Sequence, residues 1–519
     1  MVGESAQDPG WDKESDLVVV GSGGGGLTGA YAAASAGLET IVLEKTAYFG
    51  GTTAYAGAGL WLPDTDVQRR AGVEDSLEDA RTYLREVVGD YEAERRDAYL
   101  AGAEPVLNLL EANPNLQFQW ISFPDYFPVR GRCEGGRTFY PVPLEAADAG
   151  GFAPLIRPKV ELDRPGTADG TERLDGGRAL VGRLLLALTE LGNTEFLRET
   201  PVESLVVEEG RVVGVEARGP DGATLRIKAR RGVLLTAGGM ESAAELRTAN
   251  GVPGSAARTI GPRGGNTGQM IEAAVAIGAD TALLDEAWWC TGTAQPEGRA
   301  GFLLGIRRGV IVDATGSRFF NEAAPYDQGA RALIERGIEV AYLVFDSAEG
   351  DSLPALVEPD LPAAENLAAG TWVTADTVAG IAAQIDVPAA ALEATVEEFN
   401  GYSETGVDEA FHRGEDPFDL YFSVPPEGDE APPNPALRRL DKPPYYAAQI
   451  VVSDLGTKGG LRIDNDGRVL RPDGSTIDGL YAAGNTTASF TAHAYPGPGL
   501  PIGSSLVFSH RAVLHMTAA

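Results

Sequence analysis

The stretch that decides the fold is DLVVVGSGGGGLTGAYAAASAGLETIVLEK, residues 16–45. Its β-branched run at 16–20 predicts a buried parallel strand, because such strands are apolar on both faces. A glycine cluster follows, then an alanine-rich segment that favours a helix, and then a second apolar run at 40–44. The stretch therefore predicts a strand–helix–strand unit of a parallel sheet.

Three glycines of this stretch, Gly21, Gly23 and Gly26, fill a G-x-G-x-x-G pattern. The pattern is weak by itself, because glycine runs are common in loops. Here it follows a strand, opens a helix and is followed by an acid, Glu44, at the end of the second strand. That context indicates dinucleotide binding, with a pyrophosphate at the helix N-terminus and the acid on the adenosine ribose.

Length and charge limit the classes of protein that fit. A chain of 519 residues is too long for one ordinary core and predicts two or more domains. A net charge of −33 opposes binding to nucleic acid or to an anionic membrane surface. The two cysteines, Cys133 and Cys290, and four histidines, all at His412 or later, match neither a disulfide framework nor a zinc site. No metal is therefore predicted.

The N-terminus predicts the compartment. The first sixteen residues, MVGESAQDPGWDKESD, are polar and acidic and lack the apolar core of a signal peptide. No uninterrupted apolar run is long enough to span a bilayer. We therefore expect a cytoplasmic protein with a short disordered leader and no integral membrane segment.

The pattern of the chain changes twice after the opening unit. A further buried strand, RGVLLTAGG at 231–239, belongs to the same parallel type, whereas residues 285–452 are richer in aromatics and contain a proline-rich loop at 424–444. Glycine-punctuated strands then return. The prediction is an α/β fold in which a Rossmann-like domain, residues 1–284 and 453–519, is interrupted by an α+β catalytic domain at 285–452 that binds the substrate.

Four motifs carry a family resemblance: GSGGGG with its following acid, GGTTA at 50–54, TAGG at 236–239 and GLYAAGN at 479–485. Together they resemble the FAD-binding fold of the fumarate reductase/succinate dehydrogenase flavoprotein family, over roughly residues 15–515. The resemblance implies FAD as cofactor. It assigns the adenosine half to Gly21, Ser22, Gly23, Gly26 and Glu44, the pyrophosphate and ribitol to Thr52, Thr53 and Ala54, and the flavin to Gly484, Asn485, Ser505 and Leu506.

The same resemblance bears on how FAD is held. Some members of the family tether FAD through a histidine near the GGTTA position. No histidine precedes His412 in this chain, so we expect noncovalent binding. No second G-x-G-x-x-G pattern offers a nicotinamide site, and a quinone or dye-type electron acceptor is expected instead of NAD.

Three tyrosine segments occur in a fixed order: FPDYFP at 123–128, NEAAPYDQ at 321–328 and AHAYPGPGLPIG at 492–503. They resemble the active-site segments of the 3-ketosteroid Δ1-dehydrogenases, which implies a 3-ketosteroid substrate. The residues that match catalytic positions are Tyr126, Tyr326, Tyr495 and Gly499. A single tyrosine is more often a packing residue. For Tyr126, considered without the other two segments, packing is the favoured interpretation.

The chemistry explains why these residue types are needed. Desaturation between C1 and C2 removes a C2 proton and a C1 hydride, and flavin N5 takes the hydride. By the resemblance, Tyr326 is the base and Tyr126 its hydrogen-bonding partner, while Tyr495 and the Gly499 amide polarise the C3 carbonyl. The candidates for an apolar pocket lining are Trp288, Trp289, Phe123, Phe127 and Phe490.

Other functions stay open at this point. A Δ4-(5α)-dehydrogenase or a fumarate-reductase-like ene-reductase shares the fold. Carboxylate-reducing relatives orient substrates with arginine and histidine, for which Arg318 and His412 are the candidates; Arg318 has structural uses, and His412 lies in a polar, loop-like stretch. An FAD-binding sensor or scaffold without turnover is the third alternative.

Overall fold

A computed structural model describes residues 10–163, 172–262, 264–359, 361–423 and 432–518. Residues 1–9 of the predicted leader and 424–431 of the predicted proline-rich loop lie outside the described residues. The prediction of a disordered leader is wrong for residues 13–16. Lys13, Glu14 and Ser15 pair with a later strand, so the first strand begins before the apolar run.

The strands within the described ranges follow in chain order. The first twelve are β1 Lys13–Val20, β2 Thr40–Leu43, β3 Leu60–Trp61, β4 Phe118–Trp120, β5 Thr138–Pro141, β6 Leu144–Glu145, β7 Arg173–Leu174, β8 Thr194–Leu197, β9 Val202–Glu208, β10 Arg211–Arg218, β11 Thr224–Leu235 and β12 Thr281–Ala282. The others are β13 Ala287–Ala294, β14 Ala300–Phe302, β15 Leu304–Ile306, β16 Val310–Val312, β17 Ala341–Asp346, β18 Ala355–Val357, β19 Trp372–Ala375, β20 Tyr445–Thr457, β21 Gly460–Leu461, β22 Arg468–Leu470 and β23 Thr476–Ala482.

The α-helices range from single turns to five-turn helices. They are α1 Gly24–Ser35, α2 Asp66–Arg70, α3 Leu77–Val88, α4 Ala93–Glu111, α5 Val160–Asp163, α6 Gly176–Leu191, α7 Ala244–Ala249, α8 Gln269–Ala276, α9 Tyr326–Arg336, α10 Ala363–Ala369, α11 Val378–Gln384, α12 Ala389–Thr405, α13 Pro417–Tyr421 and α14 Leu500–Ala518.

The largest sheet has eight strands and contains both the first and the last strand of the described residues. Its main order is β22-β23-β11-β1-β2-β8, with β10 and β9 attached beyond β11. β1 pairs in parallel with β2 and β11, and β23 pairs in parallel with β11. The last strand of the chain thus joins the sheet that the first strand opens, and the predicted α/β fold with an interrupted Rossmann-like sheet is confirmed. Helices α6 and α14 pack against α1.

A second sheet, of six strands, is formed by the middle of the chain. Its order is β14-β13-β20-β17-β16, with β19 attached to β20. Helix α9 packs on β13 and β20. The boundaries predicted after residues 284 and 452 stay predictions, and the second of them falls inside β20.

The turn from β1 into α1 is packed tightly against the end of β11. Gly21 has a φ of +105°, and a Cβ there would lie 2.3 Å from the Thr236 carbonyl oxygen. A Cβ at Gly26 would lie 2.0 Å from the Gly21 oxygen. Helix α1 then starts after Gly23, which provides no side-chain cap, and the first helical amide, that of Gly24, donates to the Thr53 hydroxyl at 3.0 Å.

Two features are absent from the described ranges. No helix there is both long and apolar enough to cross a membrane. No group of three or more histidine, cysteine, aspartate or glutamate residues there is arranged to hold a metal ion.

Gly21→Ala tests the packing of this turn. The variant meets both an unfavourable φ and the Thr236 carbonyl, and we expect it to lose bound FAD and to unfold at a lower temperature. Gly37→Ala is the matched control, since its φ is +80° but a Cβ meets nothing within 4 Å. Equal losses of flavin absorbance per protein in the two variants would show that close packing at Gly21 does not govern FAD binding.

Candidate active site

The Tyr495 segment and the Tyr126 segment are bonded to each other through one carbonyl. The backbone N–H of Tyr126 donates to the Pro496 oxygen at 3.1 Å, and the Tyr83 hydroxyl donates to the same oxygen at 2.5 Å. The Tyr83 hydroxyl also accepts from the Phe127 N–H at 3.1 Å. These bonds fix the two segments side by side, although residues 126 and 495 are far apart in the chain.

Glycine is required at 499 by both conformation and space. Its φ is +87°, and a Cβ would lie 2.3 Å from the Gly59 carbonyl. The adjacent Pro498 oxygen accepts from the Thr138 hydroxyl at 2.5 Å, and α14 begins at Leu500. Burial raises the pKa of the Tyr495 phenol, and the nearby Gly499 amide opposes this effect.

Tyr326 is the first residue of α9, after Pro325. A proline before the first helical turn fixes the entry of the chain. The Tyr326 side chain is buried, and its helix packs on β13. Phe302 contacts its ring edge-on, with centroids 5.2 Å apart. The sequence thus places this phenol on a rigid element.

The three predicted catalytic tyrosines form one cluster. The ring centroids of Tyr126 and Tyr326 are 5.7 Å apart, those of Tyr126 and Tyr495 are 5.4 Å apart, and those of Tyr326 and Tyr495 are 5.7 Å apart. All three pairs are edge-to-face, which suits the aromatic quadrupoles. All three side chains are buried.

The burial and the proximity of the three phenols change their acidity. Burial is the main cause that raises the pKa of each of the three tyrosines. The neighbouring phenols Tyr126 and Tyr495 raise the pKa of Tyr326 further. The Tyr126 hydroxyl is buried and has no hydrogen-bond partner among the described residues. Because a hydroxyl rotates and both donates and accepts, this hydroxyl is able to turn toward a neighbouring oxygen.

One cavity of about 760 Å³ joins this cluster to the β1–α1 turn. Tyr126, Tyr326, Tyr495 and Gly499 line one end. Ten of the twelve residues predicted to hold the cofactor also line the cavity. They are Gly21, Ser22, Gly23, Glu44, Thr52, Thr53, Ala54, Gly484, Asn485 and Ser505.

Gly26 and Leu506 do not line the cavity. Gly26 gives space for the Gly21 carbonyl and the Thr236 hydroxyl, and Leu506 is buried and packs near Gly24. Both residues pack at the β1–α1 turn without lining the cavity.

The cavity residues fit FAD. The N-terminus of α1 lies at the cavity wall, where its positive end and the Thr53 hydroxyl, which accepts from the Gly24 amide at 3.0 Å, suit a pyrophosphate. Glu44, buried at the end of β2, accepts from the Ser22 hydroxyl at 2.5 Å and from the Thr46 N–H at 2.8 Å, and lines the cavity where an adenosine ribose needs an acceptor. The glycines between them leave the backbone open to close approach.

Sequence reasoning missed several cavity residues. Asn266 lines the wall and donates to the Thr52 hydroxyl at 2.7 Å; its glycine-rich surroundings, RGGNTG, were the available signal. Tyr140, on β5, is a half-buried phenol in the wall, and its pKa is raised mainly by burial. No motif marks it, because β5 lies in a stretch that reads as irregular.

The predicted lining is correct for Trp288 and Phe123 and wrong for the other three aromatics. Trp289 faces the opposite side of β13, where its Nε1 donates to Glu286 at 3.1 Å. Phe127 and Phe490 also lie outside this cavity wall.

The candidates for a carboxylate clamp are not in the cavity. The Arg318 guanidinium is buried between Glu322 and Asp408, at 2.8 Å from each. His412 is exposed and contacts Glu415 at 3.0 Å. Arg318 therefore has a structural role, and neither residue reaches the phenols' cavity.

Comparison with known proteins agrees with this geometry. The family described as "FAD binding domain" matches residues 16–502. A 3-oxosteroid 1-dehydrogenase of Rhodococcus opacus is 42% identical over 98% of this chain and 99% of its own. The chain belongs to this family of FAD-dependent oxidoreductases. The predicted resemblance and the predicted cofactor are thereby confirmed.

Two further relatives extend the comparison. The crystal structure of a 3-ketosteroid Δ1-dehydrogenase from Sterolibacterium denitrificans, in complex with 1,4-androstadiene-3,17-dione, has a TM-score of 0.87 and 32% identity, covering 98% of this chain and 100% of that one. A 4-oxocyclohexanecarboxylate 2-dehydrogenase of Sinomonas cyclohexanicum is 34% identical over 96% of this chain and 92% of its own. The names of both relatives give a cyclic ketone as the compound that is dehydrogenated.

A buried carboxyl lies next to the cluster. Asp327 follows Tyr326, is 1% exposed, and neither of its oxygens has a hydrogen-bond partner in the described part of the chain. Burial raises its pKa to about 7, against the opposing effect of Arg331 and Lys458. The folded protein therefore favours the neutral acid.

Asp327→Asn tests this carboxyl. Because the folded-state pKa is raised, ionisation of Asp327 destabilises the native state increasingly as the pH rises from about 4 to about 7. We expect the difference in free energy of unfolding, variant minus wild-type holoenzyme, to increase by about 2 kcal/mol from pH 5 to pH 8. Denaturant unfolding at both pH values measures it, with the exposed Asp351→Asn as control. A difference in stability that does not change with pH would contradict the assignment.

Proposed function

We propose that the protein introduces a C1–C2 double bond into 3-ketosteroids. The observation that carries the proposal is the cluster of three buried phenols and the Gly499 amide at one end of the cavity whose other end fits FAD. The names of the relatives support the substrate class. FAD, when bound, accepts the C1 hydride at flavin N5.

Tyr326 removes the C2 proton in this proposal. A phenol is a weak base at neutral pH unless its anion is stabilised. The rings of Tyr126 and Tyr495 contact the Tyr326 ring, and rotation of the unpaired Tyr126 hydroxyl makes it a donor to the Tyr326 oxygen. The cluster therefore has a means of stabilising the phenolate that the reaction needs. The C2 proton moves to that oxygen as the C–H bond breaks.

Tyr495 and the Gly499 amide bind the C3 oxygen. Negative charge develops on this oxygen as the C2 proton leaves, and two donors aimed at it stabilise the transition state. The Pro496 and Pro498 carbonyls are each bonded to another segment, so the loop does not need to reorganise while the charge forms. Gly499 brings its amide close because it lacks a side chain.

The wall around the phenols favours a neutral substrate. Phe123, Trp288, Phe302 and Leu304 contribute apolar surface there. An apolar wall does not compensate for the desolvation of a carboxylate, which argues against a ring of the 4-oxocyclohexanecarboxylate type and against fumarate-like substrates. A Δ4-(5α)-dehydrogenase is the alternative, because a small shift of the steroid would present a different C–H bond.

Four further properties belong to the proposal. FAD is held noncovalently by the residues that line the nucleotide end of the cavity. Gly26 and Leu506 support these residues without lining the cavity. Reduced flavin passes its electrons to a quinone or a dye-type acceptor. The protein works in the cytoplasm. The retained phenol cluster argues against an FAD-binding scaffold without turnover.

The binding mode of FAD gives one prediction. Acid precipitation of the purified holoenzyme should release FAD intact into the supernatant, because no histidine precedes His412 and none lies near Thr52 or Thr53 in the sequence. The supernatant and pellet are compared by absorbance and by mass. Yellow colour that stays with the pellet would refute noncovalent binding.

The roles of the phenols give another prediction. Tyr326→Phe should lower turnover by about 10²–10⁴-fold with an unchanged flavin spectrum, because the general base is lost. Tyr126→Phe should slow turnover less and raise the apparent pKa of the rate profile, since one donor to the phenolate is lost. Tyr446→Phe, a buried tyrosine of β20 outside the cavity wall, is the control. Near wild-type turnover in Tyr326→Phe would place the base elsewhere.

A further inference from the structure

Two cations hold the segment that leads into Tyr495. The Arg331 guanidinium donates to the His493 carbonyl, and the Lys458 ammonium donates to the Ala494 carbonyl. These are consecutive carbonyls immediately before the tyrosine. Charge-assisted donors of this kind are stronger than neutral ones, so the segment has two firm points of attachment.

The two cations come from elements that also position the rest of the cluster. Arg331 lies on α9, whose first residue is Tyr326, and its guanidinium also contacts Glu286 at 3.2 Å. Lys458 follows β20; its own N–H donates to the Glu286 carbonyl at 2.9 Å. The helix that begins with Tyr326 and the lysine that holds the Tyr495 segment are thus both connected to Glu286.

Lys458 also reaches Tyr495 through an indole ring. Its Nζ lies 4.4 Å from the centroid of the Trp288 ring, and that ring lies 4.9 Å from the Tyr495 ring. Trp288 is itself held by a hydrogen bond from its Nε1 to the Asn485 side chain at 3.1 Å. Lys458 and Trp288 therefore form a continuous series of contacts with Tyr495, in which the two rings meet edge-on.

The stability of the fold does not explain a lysine at this place. Lys458 is 1% exposed, and burial lowers its pKa to about 7 despite the opposing effect of Glu286 and Asp327. Arg331 adds a like charge, and Glu286 is also bonded by His493. Because burial of a cation costs more than burial of an apolar side chain of similar length, its retention points to a demand on geometry.

We propose that Lys458 and Arg331 are positioning residues that fix the Tyr495 hydroxyl relative to Tyr326. They act on the reaction only through Tyr495 and touch neither the substrate nor the flavin. The inference rests on the proposed role of Tyr495 at the C3 oxygen. Its consequence is that both cations stabilise the transition state more than they stabilise bound substrate.

Lys458→Met removes the charge and the donor while keeping the length of the side chain. Loss of the bond to Ala494 lets Tyr495 shift, and a shift of about 1 Å in an active-site group can cost about 100-fold in rate. We expect kcat to fall by about 10–100-fold and KM to change by less than about threefold. Lys442→Met, at an exposed lysine, is the matched control and should leave both constants unchanged.

A double-mutant cycle tests the coupling. Wild type, Lys458→Met, Tyr495→Phe and the double variant are compared as holoenzymes, first by turnover of a 3-ketosteroid. They are compared again by calorimetric binding of a steroid with a phenolic A ring, whose oxygen takes the place of the C3 oxygen. If Lys458 acts through Tyr495, the double variant should match Tyr495→Phe alone in both measurements.

The other outcomes separate two failures. Losses that multiply in the double variant, or an unchanged Lys458→Met, would overturn the positioning role while leaving the proposed function intact. Near wild-type behaviour of Tyr495→Phe would refute the proposed role of the loop, and the inference falls with it. Arg331→Met, whose side chain is 26% exposed, is run in the same cycle and decides the matter if Lys458→Met does not fold.

Discussion

The Pro496 carbonyl is the constraint on which the active site depends. It accepts from the Tyr126 amide and from the Tyr83 hydroxyl, and it belongs to the loop that carries Tyr495 and Gly499. Proline cannot donate, so this loop is held by its carbonyls. With Pro498 bonded to Thr138 and the preceding carbonyls bonded to two cations, the loop is fixed along its length. A preorganised donor set of this kind does not need to reorganise when charge develops.

The interior around the phenols is costly to build and therefore informative. Three buried tyrosines, one buried lysine and one buried carboxyl with no hydrogen-bond partner among the described residues lie within a few side chains of each other. Groups of this kind reduce stability unless they are paired. Strained or under-satisfied polar groups collect where a protein performs chemistry, and the apolar lining strengthens every remaining electrostatic contact by excluding water.

The sequence predicted the parts of this protein that depend on local pattern. The β1–α1–β2 unit, its glycines and Glu44 follow from hydrophobic period and from the space that a Cβ needs. The tyrosine cluster came only from a family resemblance, because residues 126, 326 and 495 meet through tertiary contacts that no local pattern encodes. Tyr140 was missed for the same reason. Trp289 was misassigned because neighbouring residues of a strand point to opposite faces. Trp288 therefore lines the cavity, whereas Trp289 packs on the other face of β13.

The most direct test of the proposed function is anaerobic mixing of the oxidised holoenzyme with a 3-ketosteroid that is saturated between C1 and C2, followed by identification of the product. We expect the flavin absorbance to bleach on mixing and the recovered steroid to carry its new double bond between C1 and C2. An unbleached flavin, or a new double bond between C4 and C5, would contradict the proposed function.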